Sequence, residues 1–297
     1  MPTPFLGSTS EISRGRLRGP AYVRVTHNVY AAAGEELDVR ARAAAALLVF
    51  PDAVICGLTA AVLQRLPVDD DGVVHLSRGQ LAARTPRAEV KLHRLDILED
   101  EHLIIDGVAV TDGPRTLSDL ANKLSLEALV AVADVVARRY DVPALEEAVG
   151  RSWGRAGVVR LREAVRLADP GADSPAETRA RIRLHACGFT KLQHKVPVLD
   201  EAGEWLATPD LADRVARVAV QHEGAVHFEK GERQRVHDVD RDELTRERGW
   251  EVVVSTALDD ADPARLVRKV TAAYFRSAER LGQHVLPQHL RASAEAA

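Results

Sequence analysis

Cysteine is scarce in this sequence, and long apolar runs are missing from it. The two cysteines, Cys56 and Cys187, stand far apart in 297 residues, with no His or Cys at metal-ligand spacing. Their positions exclude a disulfide scaffold and argue against a zinc site. No segment approaches the roughly 20 apolar residues that a membrane helix needs, and no apolar leader follows the first basic residues. We therefore predict a cytoplasmic protein without a membrane partner.

Net charge is also small. The formal net charge of -4 does not suggest a protein that coats nucleic acid in bulk. Net charge averages over local patches, however, and arginines cluster at residues 14–18 and at residues 151–166. These arginines could contact phosphates, or they could form solvated helix faces, since Arg is an ordinary helix former. The sequence leaves both interpretations open.

The remaining composition is that of a globular protein, with 46% hydrophobic and 28% charged residues. The length allows two domains, each with its own core. In the first half, apolar periodicity predicts an α+β mixture of short elements. The predicted strands cover residues 21–31 around a turn at Asn28, 73–76, 90–94 and 103–110, and the predicted helices cover 40–49, 58–66, 126–139 and 142–150.

The second half begins behind a segment rich in turn formers, residues 166–175, which predicts a domain boundary. A helix is expected to start at Ser174, a hairpin to have its tip at residues 200–203, and an alternating strand to cover residues 218–223. Trp250 is interpreted as core packing in preference to base stacking, and the last capped helix runs through Leu281. The chain is thus assigned to the α/β (α+β) class.

The alternating strand determines which polar side chains can act together. Gln221 and Glu223 share one face of it, and His222 points to the other. Asp210 ends the extended segment behind the hairpin, and pairing of that segment with the strand can bring it beside Glu223. Glu177 falls at the third position of its helix, where a capping box gives it a structural role as an alternative to a catalytic one.

Phosphodiester hydrolysis is the chemistry that needs such a grouping. Two or three oxygen ligands hold Mg²⁺, and the metal activates water and neutralises charge that builds on the phosphate. Histidine suits general acid or base work, and His227 lies just beyond the acidic strand, although a lone histidine in a polar loop is often merely solvated. Asp238 and Arg241 are spaced as helix neighbours and can form an ordinary exposed ion pair.

Five segments, in this order, also resemble a known family. They are Ser174-Pro175-Ala176-Glu177-Thr178-Arg179, Pro209-Asp210-Leu211-Ala212, Val218 through Gly224, Asp238 through Arg241, and Gly249 through Val253. The segments resemble the actinobacterial type of domain of unknown function 559, which is related to the very-short-patch repair endonucleases of the PD-(D/E)XK superfamily. The resemblance covers about residues 174–268 and implies a restriction-endonuclease-like core, with a mixed central sheet flanked by helices, that acts on DNA with Mg²⁺ or Mn²⁺.

The same resemblance implies roles for individual residues. These are Asp210 as principal metal ligand, Glu223 as second ligand or water activator, Glu177 as accessory ligand, Gln221 as a ligand position, His227 as proton shuttle, and Asp238 with Arg241 as support behind the site. Gln221 departs from the family, which usually has Glu there; an amide oxygen coordinates Mg²⁺ but brings no charge, so the position is weakened. His227 stands alone where most members have a histidine pair. Glu223 replaces the superfamily's Lys, as is usual for this branch.

Three segments of the first half, residues 28–30, 57–61 and 107–121, resemble the AbiEi-type antitoxin-like region that is often fused ahead of such nucleases. In that family an N-terminal winged helix often reads DNA. Only about twenty residues precede the Val23 strand, too few for a three-helix reader at roughly 1.5 Å per residue, so we expect this part to be truncated. The predicted domains are an antitoxin-like α+β domain at 1–166, an endonuclease-like domain at 174–282, and a flexible Ala/Ser-rich tail at 283–297.

Three functions are compatible with these patterns. The first is a metal-dependent DNA endonuclease in DNA repair or phage defence. The second is a catalytically weakened DNA-binding regulator of toxin-antitoxin type, with a cognate toxin as candidate partner. The resemblance of the first half and Gln221 favour this alternative. The third is a non-catalytic protein-interaction scaffold, which the negative net charge favours. DNA is the expected partner in the first two, and the sequence does not determine whether the chain forms homo-oligomers.

Overall fold

A segment rich in turn-forming residues marks the division of the chain into two units. The structure is a computed structural model that describes residues 3–34, 36–79, 88–200, 202–223 and 243–294, without the side chains of Glu223 and residues 292–294. Two compact units result, which we call the N-terminal unit (residues 1–168) and the C-terminal unit (residues 169–297). The division falls directly before Asp169, Pro170 and Gly171, residue types that favour turns over a continuing helix.

A three-stranded antiparallel sheet, in the order β1-β3-β2, opens the N-terminal unit. Its strands are β1 (Phe5–Leu6), β2 (Tyr22–Thr26) and β3 (Val29–Ala32), and the short helix α1 (Arg14–Leu17) separates β1 from β2 in the chain. Asn28 turns the chain between β2 and β3 with a φ of 59°. Asn tolerates this left-handed conformation better than most residues, and the turn predicted there is confirmed.

A five-stranded mixed sheet, in the order β6-β5-β4-β8-β7, forms the centre of the same unit. β4 pairs in parallel with β8 and β5 in parallel with β6, whereas the other neighbours are antiparallel. Alternate apolar side chains of these strands enter one buried core, as strand periodicity requires. The strands are β4 (Val54–Ile55), β5 (Val74–Ser77), β6 (Val90–His93), β7 (His102–Ile105) and β8 (Val108–Thr111).

The single strand expected over residues 103–110 is wrong, because β7 and β8 form a hairpin there. Asp106 and Gly107 make its turn with φ values of 49° and 80°. An Asp-Gly pair with both residues at positive φ is typical of a type I′ turn, whose twist matches that of two antiparallel strands. Apolar residues flank the turn on both sides, so the hydrophobic pattern of the sequence shows no break between the two strands.

The described part of the N-terminal unit contains six further helices and a 3-10 turn at Glu99–Glu101. α4, α5 and α6 begin at Asp112, Ser125 and Asp141, whose side-chain oxygens each accept a backbone N–H from the first turn. Such a cap contributes about 1 kcal/mol. The helices are α2 (Val39–Val49), α3 (Gly57–Leu63), α4 (Gly113–Leu120), α5 (Leu126–Tyr140), α6 (Val142–Arg151) and α7 (Val158–Leu167).

The C-terminal unit contains a four-stranded mixed sheet in the order β14-β13-β12-β9. β13 runs parallel to β14 and antiparallel to β12, and β9 is antiparallel to β12 at the sheet edge. β10 and β11 form a separate antiparallel hairpin whose tip is the one predicted at residues 200–203. The strands are β9 (Gln193–His194), β10 (Val198–Leu199), β11 (Trp205–Ala207), β12 (Leu211–Asp213), β13 (Val218–Glu223) and β14 (Glu251–Thr256).

Helices cover one face of this sheet and the hairpin covers the other. The main core joins Leu184 of α8 (Pro175–Ala186) and Val270 of α10 (Pro263–Leu281) to Val220 of the sheet. The short helix α9 (Ala257–Ala261) links β14 to α10, and residues 243–247 are also helical. On the opposite face, Trp250 packs with residues of the hairpin, so its interpretation as a core residue is confirmed.

The flexible tail predicted from residue 283 is wrong for the part of it that the structure describes. A 3-10 turn at Gln283–Val285 leads into helix α11 (Gln288–Ala294). Val285, Leu286 and Leu290 are buried in the same core as α8 and α10. The prediction rested on the Ala- and Ser-rich composition and overlooked these three apolar residues, which attach the segment to the unit.

The fold class predicted from the sequence is confirmed. Helices and mixed sheets alternate along both units, which is an α+β arrangement. Over the residues whose placement is described, every helix is too short or too polar to cross a membrane.

A buried tyrosine fastens α10 to the sheet. Tyr274 is fully buried and its hydroxyl donates to Oδ2 of Asp213 at 2.9 Å. Oδ1 of Asp213 accepts the backbone N–H groups of Val215 and Ala216 at 2.9 and 3.1 Å. Burial, with the negative charge of Asp213, raises the pKa of Tyr274, so the phenol stays a donor. The carboxylate therefore connects β12, its turn and α10.

We predict that Tyr274→Phe lowers the free energy of unfolding by about 1–3 kcal/mol, because one oxygen of a buried carboxylate loses its donor. Urea unfolding followed by circular dichroism measures the change. Tyr140→Phe is the control, since the Tyr140 hydroxyl makes no hydrogen bond within the described residues, and it should change the free energy by less than about 0.5 kcal/mol. A Tyr274→Phe loss no larger than that of the control contradicts the assigned contact.

Candidate functional site

Asp210 lies directly before β12, at the end of the sheet where β13 finishes. The β12–β13 register, continued by one residue, places Asp210 opposite Gln221. Oδ2 of Asp210 accepts the backbone N–H of His222 at 2.6 Å, and the Asp210 carbonyl accepts the N–H of Lys195 at 3.1 Å. These two bonds fix both the side chain and the backbone of Asp210 between the neighbouring strands.

The carboxyl group of Asp210 is electrostatically unfavourable in its ionised form. Burial raises its pKa above the ordinary value, and the negative charge of Glu177 adds to that rise. The backbone N–H of His222 and the charges of His222 and His194 oppose the shift without cancelling it. A carboxylate whose pKa is raised by burial and by the charge of a second carboxylate forms a site that a cation would stabilise.

Glu177 occupies the first turn of α8 and is buried, with 9% of its surface exposed. Oγ of Ser174 accepts the N–H of Glu177 at 3.2 Å, as the predicted cap requires. The Glu177 side chain does not return to Ser174, however; its Oε2 accepts the N–H of Asp173 at 3.1 Å. Oε1 of Glu177 and Oδ1 of Asp210 accept no hydrogen bond from the described part of the chain. Each carboxylate therefore keeps one oxygen available.

Strand parity follows the prediction over the described side chains of β13. Ala219 packs in the cluster with Trp250, whereas Val220 packs in the core with the helices. Gln221 shares the face of Ala219 by alternation, and the His222 ring lies on the helix side. There its Nδ1 is 3.3 Å from Oγ of Ser255 and its Nε2 is 3.9 Å from Oδ2 of Asp260.

Several predicted site residues lie outside the described residues. These are His227, Asp238 and Arg241, together with the side chain of Glu223. Within the residues that are described, no group of three or more His, Cys, Asp and Glu side chains is arranged to hold a metal. The described donors are two carboxylates and the amide oxygen of Gln221, a set of hard oxygen atoms that fits Mg²⁺ or Mn²⁺.

The structure adds polar groups that the sequence reasoning missed. His194 of β9 is buried, with 2% of its side chain exposed, and its Nδ1 lies 2.9 Å from Oδ2 of Asp169. This hydrogen bond lowers the pKa of Asp169 to about 2, although burial works against it. Nothing local in the sequence pairs these residues, which are 25 positions apart. The backbone N–H of His222 was missed because only side chains were considered.

The arginines between residues 151 and 166 mostly bind groups within their own unit. Arg151 pairs with Asp100 and Glu147, and Arg155 pairs with Asp119. Arg166 pairs with Glu163, and Arg160 donates to two backbone carbonyls. The structural explanation of this cluster is therefore favoured over contacts with the backbone of a nucleic acid.

Comparisons with known proteins give relatives but no activity. No family model matches the sequence. The chain is similar to the uncharacterized protein MT2308 of Mycobacterium tuberculosis strain CDC 1551 / Oshkosh and to the uncharacterized protein Rv2248 of Mycobacterium tuberculosis strain ATCC 25618 / H37Rv. Each alignment has 28% identity over 265 residues and covers 86% of this chain and 93% of the relative. The similarity therefore extends over both units.

We predict that Asp210→Asn raises the stability of the protein at neutral pH. The folded-state pKa of Asp210 lies above its ordinary value, so the ionised form costs stability above that pKa, and the cost disappears as the pH falls through it. The expected gain is about 0.5–1 kcal/mol at neutral pH, shrinking in acid. Thermal unfolding at several pH values measures it.

Glu251→Gln is the matched control and should have the opposite sign. Burial raises the pKa of Glu251, but hydrogen bonds from Arg280 and Arg276 outweigh burial and lower it. Its ionised form therefore stabilises the fold at neutral pH, and the substitution should lower the melting temperature. If Asp210→Asn also lowered the melting temperature, the electrostatic cost assigned to the ionised Asp210 carboxylate would be refuted.

Proposed function

We propose that the C-terminal unit is a metal-dependent DNA endonuclease that hydrolyses phosphodiester bonds. The observation that carries this proposal is the half-buried Asp210 carboxylate, which is fixed by the His222 N–H and whose pKa is raised by burial and by the charge of Glu177. Two structural carboxylates of the same unit have a cation or a side-chain donor, as Glu251 has in Arg276 and Arg280 and Asp213 has in the Tyr274 hydroxyl. Asp210 makes no such ion pair with the described residues. The order of motifs that resembles the nuclease family supports the same assignment.

Each residue of the proposed site has a role that follows from its position. Asp210 would hold the metal through its available Oδ1, with Glu223, Gln221 and accessory Glu177 at the same sheet end. A bound Mg²⁺ or Mn²⁺ supplies a polarised water and neutralises charge on the phosphate. The His222 N–H keeps the Asp210 carboxylate oriented, which limits the reorganisation needed when the substrate binds. His227 is proposed as the proton shuttle. An enzyme of this kind needs access to DNA, which is consistent with a cytoplasmic location.

The cleavage test uses supercoiled plasmid with Mg²⁺ or Mn²⁺. We expect nicking or linearisation by the unaltered protein and a loss of at least about a hundredfold in Asp210→Ala, because the principal ligand is removed. Asp262→Ala is the control, since among the described residues this exposed carboxylate forms only a surface pair with Arg268, and its loss should leave the rate unchanged. Cleavage of equal rate by Asp210→Ala would exclude this site.

Gln221→Glu gives an independent test in the opposite direction. Restoring a carboxylate opposite Asp210 adds charge to the ligand set, so the Mg²⁺ concentration for half-maximal cleavage should fall by about tenfold. The measurement is a Mg²⁺ titration of the plasmid assay at constant ionic strength. Gln283→Glu, at an exposed position of the C-terminal unit, adds the same charge elsewhere and should not change the titration. Identical titrations for both variants would remove Gln221 from the site.

A second candidate is a DNA-binding regulator without catalysis. Gln221 favours it, since a neutral ligand weakens the metal site, as does the lack of a three-residue metal group among the described side chains. A gel shift in EDTA separates the two functions, because the regulator binds DNA with an affinity that falls with salt but cleaves with no metal. A protein that neither binds nor cleaves DNA would instead be an interaction scaffold.

A further inference from the structure

A pocket of about 280 Å³ with a mixed polar and apolar lining lies entirely within the N-terminal unit. It is situated where α3 begins and just beyond the end of α4. The polar side chains that line it and that matter here are His93, Asp119, Asn122, Lys123 and Arg155. None of them belongs to the site proposed for cleavage, so the pocket requires its own explanation.

A chain of hydrogen bonds sets the state of the histidine in the pocket. Nε2 of His75 lies 3.0 Å from Oδ2 of Asp71, and Nδ1 of His75 lies 3.0 Å from Nε2 of His93. The carboxylate can only accept, so His75 Nε2 carries the proton and His75 Nδ1 accepts from His93. Nδ1 of His93 is then the unprotonated nitrogen of a neutral ring. Burial and the charge of Lys123 lower the pKa of His93 to about 4, which keeps that ring neutral.

Lys123 contributes a positive charge that has no partner among the described residues. Its Nζ lies close to Gly57, where an added Cβ would come within 3.6 Å of Nζ and 3.4 Å of His75 Nδ1. Gly57 has a φ of 57°, so a side chain there would be strained as well as crowded. Desolvation by the surrounding groups lowers the pKa of Lys123, although the residue as a whole is exposed, and the nearby positive charge of Lys91 acts in the same direction. An anion bound beside Lys123 would reverse this cost.

Asp119 gives the pocket a hydrogen-bond acceptor next to its cations. Its Oδ1 accepts Nε of Arg115 at 3.1 Å and Nη2 of Arg155 at 2.7 Å. Its Oδ2 is buried and has no hydrogen-bond partner in the described part of the chain. A buried carboxylate oxygen normally accepts a bond, and leaving it without one is costly. A ligand donor that displaces the atoms covering Oδ2 would remove this cost, so the complementary ligand carries a donor as well as a negative charge.

We propose that this pocket binds a small phosphate monoester that carries hydroxyl groups, such as a sugar phosphate. Lys123, Arg155 and the amide of Asn122 would donate to the phosphate oxygens, and Asp119 Oδ2 and His93 Nδ1 would accept from hydroxyls. The volume is at or below the lower end of small-molecule pockets, and a concave site of this size does not admit a duplex backbone. The proposal does not depend on the proposed cleavage activity.

The test is a calorimetric and NMR titration of the full chain with ribose 5-phosphate, inorganic phosphate and ribose at constant ionic strength. We expect saturable binding of ribose 5-phosphate, weaker binding of inorganic phosphate, no binding of ribose, and a shift of the His93 ring resonances on saturation. Lys123→Gln should weaken ribose 5-phosphate binding by at least about tenfold, because a charged donor is lost. Lys91→Gln removes the same charge nearby, outside the pocket lining, and should weaken binding by less than about threefold.

Both lysines are exposed, so neither substitution removes core packing, and circular dichroism checks that each variant is folded. Absence of saturation by ribose 5-phosphate overturns the proposal, as does an equal loss in the two lysine variants. A 5′-phosphorylated DNA oligonucleotide that shifts the same His93 resonances at lower concentration than ribose 5-phosphate would also overturn it, in favour of a polymer end.

Discussion

Leu211 pairs with Val220 and Asp213 with Val218, and this antiparallel register holds β12 against β13. Side chains alternate along a strand, so a slip of one residue would turn Leu211 and Asp213 away from the helix-side core. The same slip would separate Asp210 from the N–H of His222. The packing of the C-terminal unit and the geometry of its acidic site are therefore fixed by one set of backbone hydrogen bonds.

Local patterns carried most of the information that could be predicted. Alternation identified β13 and its parity, a Gly-containing tip identified the β10–β11 hairpin, and helical periodicity identified α10 with its buried Leu266 and Val270. These features depend on residues within a few positions of one another, which is why a sequence reveals them. The β7–β8 hairpin was missed because apolar residues flank its Asp-Gly turn without interruption.

The site itself was only partly accessible to such reasoning. The sequence indicated Asp210, Gln221 and Glu177 as members, but the rise in the pKa of Asp210 depends on burial, which is a tertiary property. The Asp169–His194 and Asp213–Tyr274 contacts join residues 25 and 61 positions apart. Each of these pairs looks like unrelated polar residues until the sheet and helices bring them together. The arginine cluster at residues 151–166 was ambiguous in part for the same reason, since Asp100 and Asp119, which pair with Arg151 and Arg155, come from distant segments.

The anchoring of Val285, Leu286 and Leu290 in the main core of the C-terminal unit bears on the order in which the protein can fold during synthesis. The N-terminal unit leaves the ribosome before most of the C-terminal unit has been synthesised. It can therefore begin to fold first. The sheet of the C-terminal unit, by contrast, keeps part of its apolar surface uncovered until residues 285–290 emerge. During that interval the nascent chain exposes apolar surface of the kind that chaperones bind. Termination of translation before residue 285 would leave this surface permanently exposed.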